Sequence, residues 1–182
     1  TVSASIATLV ERIAYRPLRT APRLVPLITA IGVSFFLQYT FRGLYGSGIK
    51  GFPEMDIFKG FFMIAGIRVF KTQATVIVGA IVLMLILYAI VQWTKMGKAM
   101  RSVSEDKEVA ALMGIDVDKT IATTFALGGL AAGLGGILYL LVFPQAHFFM
   151  GFIPSIKAFT AAVLGGIGNV PGAFLGAMLL GL

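Results

Sequence analysis

The chain has 182 residues, of which 58% are hydrophobic and 13% charged, about half the charged share of an ordinary soluble domain. With a mean hydropathy of +0.92, this excludes a soluble globular fold and predicts an all-α, polytopic bundle of transmembrane helices. No cysteine occurs, which excludes a disulfide framework and a thiolate metal site. The net charge of +7 arises from basic residues in short segments beside apolar runs, the pattern of membrane-helix flanks and not of a nucleic-acid surface.

In chain order, "TVSASIATLV" reads as the stub of an earlier span, followed by the basic "ERIAYRPLRTAPR". A hydrocarbon core about 30 Å thick needs roughly 20 apolar residues in helix. Three runs qualify without a charged residue: Leu24 to Phe41, Ala74 to Trp93, and Thr120 to Phe143. A fourth apolar region, from Ala158 to the end, is interrupted by Gly168, Asn169 and Pro171. It predicts two helical pieces, as a broken or re-entrant element or as a tight turn between helices. The whole chain reads as a single transmembrane domain cut at both ends, since it begins on Thr1 and stops inside "GAFLGAMLLGL". Between the first two runs, "FFMIAGIRVF" fits two short strands turned at Ala65 and Gly66, and equally a membrane-grazing helix.

Residues 94–119 cannot cross lipid. Lys95, Lys98, Arg101, Glu105, Asp106, Lys107, Glu108, Asp116, Asp118 and Lys119 lie within them, and each charge costs about 2.5–3.5 kcal/mol at a helix centre. Two spans separate this loop from residues 11–23, so both face the same side. Together they carry nine basic residues, against six in the opposite loops 42–73 and 144–157. The positive-inside rule therefore places residues 94–119 in the cytoplasm.

Within that loop, Ser102 and Glu105 have capping-box spacing, Ser104 is a second N-cap candidate, and Glu105, Asp106 and Glu108 suit a first turn. A short helix over Glu105 to Met113 follows, with Val109, Leu112 and Met113 on one face and Gly114 as its terminating glycine. A helix this short is unstable alone in water. It is either a connection lying on the ends of its own bundle or a docking helix whose ridge enters the groove of a cytoplasmic partner.

Gly129 and Gly133 have GxxxG spacing in the third span and predict close helix packing. Gly165, Gly166, Gly168, Asn169 and Pro171 mark the broken element. They predict either lining of a translocation path or a structural turn at the membrane surface. "GGIGNVPG" fails as a phosphate-binding loop: Pro171 replaces the last glycine, no strand precedes it and no Lys-Ser/Thr follows. His147, the one histidine, has no acidic or histidine neighbour in the sequence for metal or nucleophilic chemistry. The spans lack Asp, Glu, Lys and Arg, which argues against a proton relay. Thr29, Ser34, Gln38 and Thr160 remain as their main polar side chains.

"ERIAYRPLR", "GKAMRSVSEDKEVAALMGIDVDKTI" with "FALGGLAAGLGGIL", and "KAFTAAVLGGIGNVPGAFLGA" resemble, in this order, the LivH-type permeases of branched-chain amino acid ABC importers. Those permeases are longer at both ends. The resemblance implies a transport subunit of a bacterial or archaeal inner membrane, without its own ATPase site or cofactor. Its implied partners are a second homologous permease subunit, two cytoplasmic ATP-binding subunits and an extracytoplasmic binding protein delivering leucine, isoleucine or valine. Urea or a short amide is the alternative cargo, and a stand-alone secondary transporter the alternative mechanism. The family's ATPase-contacting loop matches Arg101, Ser104, Glu105, Asp106, Ala110, Leu112, Met113, Gly114 and Ile115. Docking of the binding protein on loop 42–73 is implied by geometry alone.

Overall fold

The computed structural model describes residues 2–18, 24–51, 60–64 and 67–181. About four in five of them are helical. Helix α1 (Val2–Val10) runs into a π-turn at Glu11–Tyr15 and a 3₁₀ turn at Arg16–Leu18. Then come α2 (Leu24–Tyr45), β1 (Lys50–Gly51), β2 (Phe61–Ile64), β3 (Ile67–Phe70) and α3 (Lys71–Trp93). Helices α4 (Lys95–Glu105), α5 (Lys107–Leu112) and α6 (Val117–Val142) follow, and β4 (Gln145–Ala146), α7 (Phe152–Gly165) and α8 (Val170–Gly181) complete the order.

The three uninterrupted apolar runs form the three longest helices, each extending past the run itself. At about 1.5 Å per residue, α2, α3 and α6 measure roughly 33, 35 and 39 Å, enough to cross a bilayer. In α3 and α6 the most apolar stretch has a mean hydropathy of 2.8 and 2.0; no residue of α3, and in α6 only Thr120 and Gly129, is buried within the chain. An apolar surface of that kind is stable only against lipid or another subunit.

The chain packs as two compact units, Thr1–Ser47 with Ile90–Leu134, and Gly48–Ala89 with Gly135–Leu182. In the first, α1 lies antiparallel to the N-terminal half of α6. Ser3 Oγ donates to the Gly129 carbonyl at 2.6 Å, and a Cβ on Gly129 would stand 2.5 Å from that of Ala7. Gly133 faces Ser3 in the same way, at 2.9 Å. Gly129 and Gly133 thus seat α1 along their stripe, a close approach that side chains would prevent. Further along, Tyr15 packs on Phe125 with ring centroids 5.0 Å apart, and Arg16 pairs with Asp118 at 3.0 Å. Both charged partners are half-exposed, so that pair contributes at most about 1 kcal/mol.

In the second unit, β2 and β3 form an antiparallel pair with Phe61 opposite Phe70 and Ile64 opposite Ile67. The strand reading of that segment holds, while its expected turn residues Ala65 and Gly66 lie outside the described residues. Lys71 N–H donates to the Gly60 carbonyl at 3.0 Å, so α3 begins directly at the end of the ladder. A second pair, β1 with β4, sets Lys50 opposite Ala146 and Gly51 opposite Gln145. Nothing in the local pattern announced it.

The last apolar region begins earlier than expected: α7 starts at Phe152, not Ala158, and takes Pro154 and Lys157 into its first two turns. Proline is tolerated near a helix start because the first turn's N–H groups lack intrahelical acceptors. At roughly 21 Å, α7 is shorter than the hydrocarbon core. It turns at residues 166–169 and packs against α8, backbone on backbone: a Cβ on Gly165 would stand 2.1 Å from the Gly172 carbonyl carbon, and one on Gly176 2.5 Å from the Ala161 oxygen. The pieces therefore form a helical hairpin sealed by small residues.

Candidate partner-docking site

The α4–α5 segment is built from the end of α3 outward. Thr94 leaves the helix with an extended backbone (φ −85°, ψ 156°), and its hydroxyl oxygen accepts from Gly97 N–H at 3.0 Å, capping α4. The chain reverses tightly there. A Cβ on Gly97 would lie 2.2 Å from the Val91 carbonyl oxygen and 2.4 Å from that of Ile90, so glycine alone permits this approach. One further turn along, the Arg101 guanidinium donates to Gln92 Oε1 at 2.7 Å and to the Gln92 carbonyl at 3.4 Å. A cation at the carbonyl end of α3 also complements the helix dipole. Gly97 and Val103 are buried.

Ser102 and Ser104 do not cap the short helix that follows, as the spacing suggested. Both are inside α4, where Ser102 Oγ donates to the Lys98 carbonyl at 3.1 Å and Ser104 Oγ to the Arg101 carbonyl at 2.7 Å. Glu105 is the last residue of α4. The cap is Asp106, whose Oδ1 accepts from Glu108 N–H at 2.8 Å and Val109 N–H at 3.1 Å while its own N–H closes α4 on the Ser102 carbonyl. One residue ends one helix and starts the next.

The short helix is accordingly Lys107–Leu112 and not Glu105–Met113. Gly114 ends it at φ 82°: Ile115 N–H reaches the Ala110 carbonyl at 3.1 Å and Gly114 N–H that of Ala111 at 3.0 Å, the paired bonds of a Schellman motif. Capping at both ends orients the side chains. Ala110 is buried and Ile115 half-buried, while Val109, Leu112 and Met113 are 55%, 86% and 79% exposed. Val103, Ser104, Glu105, Asp106, Lys107 and Glu108 line a concavity at the α4–α5 junction. Past the turn, Asp116 Oδ1 accepts from Lys119 N–H at 3.0 Å, restarting the chain as α6.

The glycine-rich residues of the last region come together in the α7–α8 turn. Gly166 and Gly168 take φ of 89° and 95°, values that side chains oppose. Asn169 Oδ1 accepts from Gly172 N–H at 3.2 Å, and Pro171 sits in the first turn of α8. Gly165 makes the close approach to Gly172. Of the intramembrane polar side chains, Thr29 and Thr160 bond carbonyls of their own helices. Gln38 Nε2 donates to Ser34 Oγ at 3.1 Å, and Gln38 Oε1 is buried without a partner among the described residues. No group of three His, Asp or Glu gathers among the described residues to hold a metal ion. Sequence patterns missed Thr94, Gly97 and the Gln92–Arg101 contact; only a glycine beside a helix-capping threonine hinted at the reversal.

Membrane-length helices with unburied apolar surfaces, joined by a short doubly capped segment, define an integral membrane protein of the multi-helix kind. Across residues 1–182 the chain matches the family described as branched-chain amino acid transport system / permease component. The chain belongs to this family. It is 38% identical over 178 residues to the high-affinity branched-chain amino acid transport system permease protein LivH of Escherichia coli strain K12, covering 95% of this chain and 57% of that protein. The LivH of Salmonella typhimurium shows the same identity and coverage. Its identity to the permease protein BraD of Pseudomonas aeruginosa is 37% over 184 residues, covering 100% of this chain and 60% of BraD. The chain thus spans less than two thirds of the length of these relatives. No solved structure matches it.

Proposed function

We propose that this chain is part of the membrane-spanning permease subunit of an ABC importer carrying leucine, isoleucine and valine across a bacterial or archaeal inner membrane. It holds no ATPase site of its own and is powered by two cytoplasmic ATP-binding subunits. A second permease subunit completes the pathway, and an extracytoplasmic binding protein delivers the cargo. The observation that carries this reading is the α5 ridge: Leu112 and Met113 are almost fully exposed on a helix fixed at both ends. Such a ridge is suited to a partner's groove. The likeness to LivH and BraD supports the cargo. Closure of the ATPases on ATP would move α5, and α3 and α6, to which it is joined, would tilt between two packings. The α7–α8 hairpin, with its turn of freed backbone, borders the path.

Burying a leucine contributes about 1.5–3 kcal/mol. Leu112→Asp in the full-length permease, within its complete complex, is therefore expected to cut leucine uptake and binding-protein-stimulated ATPase at least tenfold. Its thermal midpoint in detergent should not change, because the side chain is exposed. Wild-type uptake and ATPase in that variant would sink the proposal. Uptake of urea in place of leucine by the wild-type complex would overturn the cargo.

A further inference from the structure

The residues immediately after α3 carry a second surface, distinct from the α5 ridge. Trp93 closes the membrane-length helix and is 78% exposed. Because Gly97 lies against the Ile90 and Val91 carbonyls, the first turn of α4 stands at the depth of the last turn of α3. That depth, where a bilayer-crossing helix ends, is the headgroup layer. Helix α4 is strongly amphipathic, with Gly97 and Val103 buried, Met96, Ala99 and Met100 half-buried, and Lys95, Lys98 and Ser102 exposed.

Lys95 and Lys98 are three residues apart, so they neighbour one another on the helix surface. Arg101, the third basic residue of α4, is engaged with Gln92. The acidic residues begin only at Glu105, about 10 Å further along the helix from Lys98. The N-terminal half of α4 is thus cationic and the acidic residues belong to the end that leads into α5.

We propose that Trp93, Lys95 and Lys98 form a binding surface for anionic phospholipid headgroups. The indole sits in the interfacial layer, where amphipathic aromatic rings are favoured, and the two ammonium groups contact lipid phosphates. This seats α4 on the bilayer while α5 reaches away from it. A lipid surface, and not a soluble phosphate, is the partner because it presents many phosphates at the depth these residues occupy. The proposal rests on α3 crossing the membrane and is independent of what α5 docks.

Fluorescence quenching in vesicles tests it. The full-length permease in its complex is reconstituted in phosphatidylcholine containing a minority of brominated phosphatidylglycerol or, in parallel, brominated phosphatidylcholine. The Trp93 signal is the difference between wild type and Trp93→Phe. Brominated phosphatidylglycerol is expected to be enriched about fivefold to tenfold at Trp93 over brominated phosphatidylcholine, given two lysines near a charged surface and partial screening by salt. The double variant Lys95→Gln, Lys98→Gln should abolish that preference yet keep quenching by brominated phosphatidylcholine, which shows correct insertion. Leu112→Asp should leave the preference intact even where coupling is lost. Equal quenching by the two lipids in wild type, or a preference that survives the double substitution, overturns the proposal.

Discussion

Gly97→Ala is the smallest change that tests how α4 is held. The new Cβ would stand 2.2 Å from the Val91 oxygen, 2.4 Å from the Ile90 oxygen and 2.6 Å from the Val91 carbonyl carbon. All three are backbone atoms that no rotamer change can move. Ordinary carbon–oxygen contacts close at about 3.3 Å, so α4 must retreat by roughly 1 Å. That retreat stretches the Gly97–Thr94 cap bond from 3.0 Å and the Arg101–Gln92 bond from 2.7 Å. Loss of a cap costs about 1 kcal/mol, and overpacking a close contact costs about 1–3 kcal/mol. Alanine's better helix propensity returns up to about 1 kcal/mol. The net is about 1–3 kcal/mol of local stability, a factor of about 5–150 in the opening equilibrium. Hydrogen exchange of the α4 amides in the purified complex should accelerate by that factor, with those of the α7–α8 hairpin unchanged. Gly128→Ala is the control, because nothing lies within 4 Å of a Cβ there. Unchanged protection of α4 in Gly97→Ala would refute the close-approach reading.

Further consequences follow from the caps and the hairpin. Asp106→Ala removes the acceptor of two N–H groups and should destabilise α5 by about 1 kcal/mol, seen as roughly fivefold faster exchange at Glu108 and Val109; Asp106→Asn should largely restore it. At Gly172 a Cβ would stand 2.0 Å from the Gly165 oxygen, so Gly172→Ala should split the hairpin at a cost of about 1–3 kcal/mol, read as a lower thermal midpoint in detergent; an unchanged midpoint would contradict that packing.

Much of the architecture was legible because the bilayer imposes a one-dimensional code. Twenty apolar residues must be helix to satisfy their backbone in lipid, so α2, α3 and α6 follow from composition along the chain, as does the exclusion of residues 94–119. Gly114 was legible for a similar reason: a positive φ is a local property that glycine meets without strain. The cap at Asp106 was not. Ser102 and Glu105 carry the spacing of a capping box, but α4 had already begun at Thr94, and a serine within a helix bonds back to its own carbonyls. Whether α4 begins there depends on Gly97 meeting the carbonyls of α3, a contact between helices that no local pattern records. The start of α7 differs from the start of its apolar run because Lys157 limits what enters lipid, not what forms a helix. The pairing of β1 with β4, the seating of Ser3 and Ala7 on Gly129, and the seam of Ala161, Gly165, Gly172 and Gly176 all depend on distances between segments. Short-range propensity and transfer energy choose the helices; close approach of small residues, available only after the chain has folded, decides which of them touch.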